Sequence, residues 1–271
     1  MAVADGAAQR RFDHVATEEP LEIRLVLRGQ TRTVAVTMRT PGADFELAAG
    51  FLYGESVLKS RDDVRGVSYC VDRSVEAEQR YNIVNVELSR ELLPDLAPLE
   101  RHFLTTSACG VCGKANLEAL RLRGVPELAP GPFVSPEIVT SLPDRLRAAQ
   151  GIFASTGGLH AAALFDEKGE LLAVREDVGR HNAVDKLVGW AFLNGKLPLR
   201  DRLMMVSGRS SYEILQKALT AGVPIVCAIS APSSLAVALA RDFGVTLIGF
   251  LRGSRFNVYS GEQRIALGIP A

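Results

Sequence analysis

Cysteine is scarce in this chain, four residues in 271, which excludes a disulfide-stapled scaffold. An excess of charge is missing too. The 31 Lys+Arg balance the 31 Asp+Glu, so bulk electrostatics give no support to nucleic-acid binding. No stretch of about 18 uncharged apolar residues occurs, and no membrane span is predicted. The opening segment from Met1 to Phe12 lacks the apolar run of a secretory signal, so a soluble, cytoplasmic protein is expected. What is present is ordinary globular material: 47% hydrophobic and 23% charged residues. That is enough for a core without a structural metal.

At roughly 150 residues per domain, the length predicts one large domain or two unequal ones. Residues 1–18 show no periodicity and are expected to be a disordered tail. Residues 19–130 read as a β-rich N-terminal region. Leu21, Ile23, Leu25 and Leu27 recur on one face with a period of two, then Val34, Val36 and Met38 follow beyond Arg28-Gly29-Gln30, which predicts a β-hairpin. Asp44 is placed to cap a helix over Phe45–Tyr53, with Gly54 as its stop. Val64–Val71 and Tyr81–Leu88 are further strand candidates. Residues 131–271 read as an α/β domain. A helix is expected after Ser135-Pro136-Glu137, running to Gln150 with an interruption near Pro143. His160–Phe165 and Leu171–Arg175 form a hairpin around Asp166-Glu167-Lys168-Gly169. Beyond it, helices at His181–Leu193, Tyr212–Ala221 and Leu235–Phe243 alternate with strands at Leu203–Val206, Val223–Ile229 and Val245–Leu251, the last being the final strand. Alternating strands and helices imply right-handed crossovers and a largely parallel sheet, which the hairpin makes mixed.

Three strand-to-helix junctions carry polar loops: Glu176–Asn182 and Ser207–Ser211, each with a glycine, and Ser230–Ser234. A fourth polar stretch, Arg252-Gly253-Ser254-Arg255, follows the last strand. In open α/β sheets ligands bind beyond the strand carboxyl ends, where helix N-termini offer unpaired N–H groups to an anion. Arg180, Arg209, Arg252 and Arg255 would add charge-assisted contacts. Such serines and glycines are also ordinary helix-start residues, but three arginine-bearing loops on one edge favour an anionic ligand. Gly113-Lys114 comes nearest to a phosphate loop, yet Ala108 and Ala115 break the pattern, and no G-x-G-x-x-G follows a strand.

Cys109-Gly110-Val111-Cys112 is the sharpest local feature, and three readings compete. Structural zinc needs four ligands, but only Cys70 and Cys227 remain as thiols, without a second C-x-x-C or an H-x₃₋₅-H pair. A thioredoxin-like redox pair should open a helix straight after a strand, whereas Cys109 lies in a long connection. The third is a nucleophilic thiol that accepts and passes on a group, with Lys114 placed to favour the thiolate. Cys70 and Cys227 sit in apolar strands and are expected to be inert, and Trp190 is expected in the core. His160, isolated in an apolar strand, reads as a satisfied core residue. His181, between Arg180 and Asn182, is the better site candidate.

Several segments together resemble the FdhD family of formate dehydrogenase accessory sulfurtransferases. They are Thr106–Gly113, Phe153–Ala162, Arg175–Lys186, Ser207–Glu213 and Gly249–Asn257, and the resemblance spans about residues 20–265. It implies a cytidine-deaminase-like three-layer αβα domain with a mixed sheet, preceded by the smaller β-rich region. It also implies that a cysteine desulfurase loads sulfane sulfur onto a cysteine, from which it passes to the molybdenum cofactor. The form served is bis(molybdopterin guanine dinucleotide), required by formate dehydrogenase. By motif, Cys109 matches the persulfide-forming cysteine and Cys112 the second, assisting thiol. Phe250, Leu251, Arg252, Gly253, Ser254 and Arg255 match the cofactor-binding stretch, with Arg180, His181, Ser207, Gly208 and Arg209 as further candidates. GDP is the expected mimic of the cofactor. Cysteine desulfurase and formate dehydrogenase are the implied partners, a homodimer is allowed, and neither nucleic acid nor membrane is involved. Zinc is not expected. His160-Ala161-Ala162 lacks the glutamate of the zinc deaminases and no P-C-x-x-C follows, so fold kinship does not imply deamination. The alternative from another class is a non-catalytic chaperone that binds the molybdenum cofactor.

Overall fold

The structure, a computed structural model, describes residues 1–4, 6–89, 128 and 130–266. Cys109 and Cys112 lie outside the described residues. Within residues 1–18, β1 (Ala2–Ala4) and β2 (Ala7–Gln9) pair as an antiparallel ribbon.

The alternation beginning at Leu21 becomes β3 (Glu19–Leu27), whose Leu21, Ile23, Leu25 and Leu27 all face inward. The tight turn at Arg28-Gly29, both with positive φ, returns the chain as the antiparallel β4 (Gln30–Arg39). With β5 (Val64–Tyr69) and β6 (Ile83–Leu88) they form a four-stranded sheet in the order β4-β3-β6-β5. Helix α1 (Asp44–Gly54) covers its apolar face with Leu47, Ala48 and Leu52. Asp44 does not cap α1. The N-cap is Ala43 in the left-handed conformation, and the Asp44 carboxylate instead takes two 3.1 Å hydrogen bonds from the buried Arg39. A buried guanidinium demands such a partner, and that need outweighs the capping preference.

Helix α2 (Pro136–Ala149) starts where the Ser-Pro-Glu sequence predicts, with Ser135 as N-cap accepting from Ile138 N and Pro136 in the first turn. It runs unbroken through Pro143. The buried stripe of Val139, Leu142 and Leu146 fixes the turns on both sides, and this packing offsets the roughly 3 kcal/mol that an interior proline costs. A short α3 (Gly151–Thr156) follows. Then come β7 (His160–Phe165), β8 (Leu171–Asp177), α4 (Arg180–Leu193), β9 (Leu203–Val206), α5 (Tyr212–Thr220), β10 (Ile225–Ala228), α6 (Ser234–Asp242), β11 (Thr246–Arg252) and β12 (Arg255–Ser260). Val245–Leu251 is therefore not the last strand. The Arg252–Arg255 segment is a tight turn that sends the chain back antiparallel.

The order β12-β11-β10-β9-β7-β8 makes a six-stranded mixed sheet. Only two of its five pairings, β9–β10 and β10–β11, are parallel, so the sheet is less parallel than the strand–helix alternation predicts. One face, with Ala162, Leu164, Met204, Val206 and Val226, packs on α4, α5 and α6. The other, with Ala163, Phe165, Met205 and Ile248, packs on α2. The result is a three-layer αβα sandwich with a smaller β-rich N-terminal region.

Helix α1 joins the two parts by crossing α4 at backbone contact. An ideal Cβ on Gly50 would stand 1.8 Å from Asp185 O, and one on Gly189 would stand 1.8 Å from Glu46 O. Only glycine at both positions permits this approach.

Candidate functional site

The six-stranded sheet gathers its chemistry at one edge. The parallel strands β9, β10 and β11 all exit there, and antiparallel β7 begins there with His160 opposite Asp177 at the end of β8. Helices α4, α5 and α6 start from the same edge, and the β11–β12 turn closes it. The four polar loops read from the sequence are thus brought together.

The Arg175–Lys186 segment splits into two jobs. Its buried part is a joint. Asp177, fully buried, pairs with Lys186 Nζ at 2.7 Å and accepts from Gly179 N, Asn182 Nδ2 and Thr40 N. Lys186 also donates to Thr40 O at 2.8 Å, and Asn182 to Met38 O at 2.7 Å. Arg175 reaches Glu46 on α1, with Nη2 2.7 Å from Oε1. These bonds lock the start of α4 to the end of β4, so most of the segment is architecture.

Arg180 and His181 remain at the edge. His181 Nε2 lies 2.9 Å from Glu213 Oε2 and 3.3 Å from Ser211 Oγ. The hydrogen bond from His181 holds the Glu213 carboxyl below the ordinary carboxylate range, although burial pushes the other way. Ser211 is the N-cap of α5, yet its hydroxyl donates to the Glu213 carboxylate at 3.4 Å and caps no backbone N–H of that helix, and Gly179 at the start of α4 has no side chain to offer. Both helix starts therefore keep N–H groups free of side-chain caps.

Gly208 sits where His160 and Arg180 meet. An ideal Cβ there would be 3.4 Å from His160 Nδ1 and 3.7 Å from Arg180 Cδ. His160 is only partly buried and belongs to this cluster, contrary to its reading as a core residue. The sequence pattern misleads because His160 is the first residue of β7, at the sheet edge, where its apolar neighbours are not its surroundings. Burial, together with Arg180 and His181, pushes its pKa below the usual 6.5, which favours a neutral imidazole at neutral pH. Ser207 continues β9 by exchanging bonds with Ala161, its Oγ accepting Ala161 N at 2.9 Å. Arg209 is exposed.

Two buried polar atoms at this edge have no protein partner: Arg180 Nε and Ser210 Oγ. Ser210 is fully buried, and its backbone is fixed by Ala231 O and Ser233 N. Such orphaned groups cost about 1–3 kcal/mol each unless something binds them. Ser210 and Glu213 went unselected in the sequence because nothing there distinguishes them from neighbouring cap residues.

In the final stretch, Phe250 is 43% exposed with φ of 51°, the left-handed region that a bulky residue rarely adopts. Its neighbour Gly249 is closely surrounded: a Cβ would stand 3.0 Å from Pro232 Cδ and 3.3 Å from Ser230 O, so these neighbours would have to shift slightly to admit one. Arg252 Nε donates to Ile229 O at 3.4 Å, tying the turn to the exit of β10. Arg255 pairs with Arg252 across the turn and is exposed. Leu251 is fully buried in the core on the α2 side, so its side chain anchors the stretch from beneath.

Cys70 and Cys227 are both buried, and burial pushes the Cys227 thiol up to about 12. Cys227 should resist alkylation at pH 8 in the folded protein and react once the chain is denatured. Peptide mapping by mass spectrometry after iodoacetamide treatment would show this, and rapid native labelling of Cys227 would contradict it. Among the described residues, no helix is long and apolar enough to cross a membrane.

The arrangement defines a mixed α/β protein whose strand-exit edge presents arginines, uncapped helix starts and orphaned donors, a layout suited to a phosphate-bearing ligand. Residues 16–266 match the FdhD/NarQ family. The chain belongs to that family. It is 54% identical to the sulfur carrier protein FdhD of Streptomyces avermitilis, covering 99% of this chain and 95% of that protein. The corresponding protein of Mycobacterium tuberculosis is 51% identical over 94% of this chain and 92% of its own length. That of Saccharolobus solfataricus is 44% identical over 97% and 95%. A crystal structure from Desulfotalea psychrophila, provisionally assigned as a formate dehydrogenase accessory protein, superposes with a TM-score of 0.74 at 26% identity, covering 97% of this chain and 96% of that one.

Proposed function

We propose that this protein is a sulfur carrier that takes sulfane sulfur from a cysteine desulfurase onto Cys109 and delivers it to bis(molybdopterin guanine dinucleotide) molybdenum cofactor, for use by formate dehydrogenase. The Cys109 thiolate attacks the terminal sulfur of the desulfurase persulfide, the old S–S bond breaks, and the desulfurase cysteine leaves as a thiolate. Cys112 assists by sharing or resolving the persulfide. The cofactor is substrate here, held at the strand-exit edge through its phosphates and guanine.

The observation that carries the binding half of this reading is the pair of buried donors without partners, Arg180 Nε and Ser210 Oγ, beside two uncapped helix starts. A phosphate supplies acceptors for both donor types. The carrier half rests on the family and on the Cys109–Cys112 motif. Incubation with a desulfurase and cysteine should leave a persulfide on Cys109, detected by trapping and mass spectrometry. A protein that binds GDP but never acquires the persulfide would instead be the non-catalytic chaperone.

GDP should bind at this edge, and Arg255→Ala should weaken it by about 1.5–3 kcal/mol, the range for a charged hydrogen bond. Higher salt should weaken binding by the parent as well. Titration calorimetry checks both, and an isotherm of Arg255→Ala superimposable on the parent's would remove Arg255 from the site.

A further inference from the structure

We propose that a second pocket, at the opposite end of the six-stranded sheet, receives an acidic peptide segment of a partner protein anchored by one apolar side chain. This builds on the sulfur-carrier reading, which requires a protein donor and a protein recipient while the strand-exit edge is committed to cofactor. The pocket has a volume of about 380 Å³, within the range of sites that take a ligand-sized group. It lies at the far end of α4 from Arg180, ten residues along the helix and therefore roughly 15 Å away.

Its floor is apolar: Leu164, Leu172, Leu199 and the indole of Trp190. Leu172 is there because of a bulge. The β7–β8 register steps from Ala173 to Leu171, which leaves Leu172 without a cross-strand partner and 41% exposed beside the indole. Bulges commonly re-aim a side chain in this way.

The rim is cationic. Lys196, Arg200 and Arg202 surround the opening, against a single lining acid, Asp201. Lys196 Nζ already lies 5.6 Å from the Trp190 ring centroid, and Arg202 Nη1 donates to Asp201 O at 3.0 Å while its nearest carboxylate, Glu167, is 3.8 Å away. Complementary charge therefore means carboxylates around an apolar anchor. A phosphate ligand suits this end less well. The pocket sits at the C-terminal end of α4, which offers no free N–H groups to cradle a phosphate, so any anion there, a carboxylate included, is held against the helix dipole by the rim side chains.

Trp190 is the sole tryptophan of the chain, so its emission reports on this pocket directly. The probe is a blocked eight-residue peptide of aspartate and glutamate around one leucine, titrated into the full-length protein. A saturable change in Trp190 emission is expected, weakening with salt and absent with the lysine-for-acid peptide. Lys196→Glu and Arg200→Glu, both at exposed side chains, should each lower the affinity at least tenfold while circular dichroism stays unchanged. No emission change, parental affinity in both variants, or equal binding of a peptide with serine in place of leucine would each overturn the proposal. Displacement of the peptide by GDP or inorganic phosphate at matched ionic strength would overturn it too, in favour of a small-anion site. GDP binding and the Cys109 persulfide are measured separately on the same protein, so failure here is distinguishable from failure of the carrier reading.

Discussion

Gly189→Ala is expected to destabilise the protein by about 3 kcal/mol or more, at the upper end for added volume in a packed interface. Helix propensity predicts the opposite sign. Gly189 lies inside α4, where alanine is normally better than glycine by about 1 kcal/mol. The crossing with α1 reverses that preference, because the new methyl would stand 1.8 Å from Glu46 O and 2.8 Å from Gly50 N. Neither atom belongs to a flexible side chain, so the helices must separate. Separation would strain the Arg175–Glu46 ion pair and the Lys186–Thr40 bond, which tie β8 and α4 to the N-terminal region. Gly50→Ala should behave alike, since its methyl would meet Asp185 O at 1.8 Å. Gly151→Ala is the control, with open space around its Cβ, and should stay within about 0.5 kcal/mol of the parent. Thermal unfolding reads the difference as a fall in Tm of roughly 6 °C or more for either crossing variant. A Gly189→Ala protein that melts at or above the parent temperature would show that the helices do not touch there.

The second large effect is chemical. Cys109→Ser should abolish sulfur transfer, measured as restoration of dehydrogenase activity in a strain lacking the parent protein, while GDP binding and Tm stay at parental values. A serine hydroxyl cannot form a persulfide, and one oxygen for one sulfur changes side-chain size little. Cys112→Ser should retain part of the activity if Cys112 only shares or resolves the persulfide. Full activity of Cys109→Ser would reject the persulfide role, whereas loss of GDP binding together with activity would assign Cys109 to the cofactor site.

Much of this fold was legible in the sequence, for identifiable reasons. Apolar alternation in Leu21–Leu27 and the short apolar runs at Leu203–Val206 and Val245–Leu251 are local patterns that read as strands between their polar loops. Ser135-Pro136-Glu137 carries its own helix start, independent of what α2 packs against. The polar loops likewise follow from strand–helix alternation, which places them on one edge. Local rules failed where a distant partner set the conformation. Asp44 looks like a cap but serves Arg39, Pro143 looks like a break but is held by the α2 stripe, and β12 exists because the Arg252–Arg255 turn returns the chain along β11.

The candidate site divides in the same way. The sequence by itself determined which residues are available: the arginines at 180, 209, 252 and 255, the serines and glycines of the junctions, and the two thiols of the Cys109–Cys112 motif. Only the tertiary structure decided their employment. It drew Asp177, Asn182 and Lys186 out of the Arg175–Lys186 segment and into a buried joint, because charges removed from water must find each other. It moved His160 from core to edge, buried Leu251, and left Arg180 Nε and Ser210 Oγ facing no protein acceptor. Residue type and spacing are written along the chain, but burial and partnership arise from contacts between segments more than a hundred residues apart, such as Thr40 with Asp177 and Glu46 with Arg175.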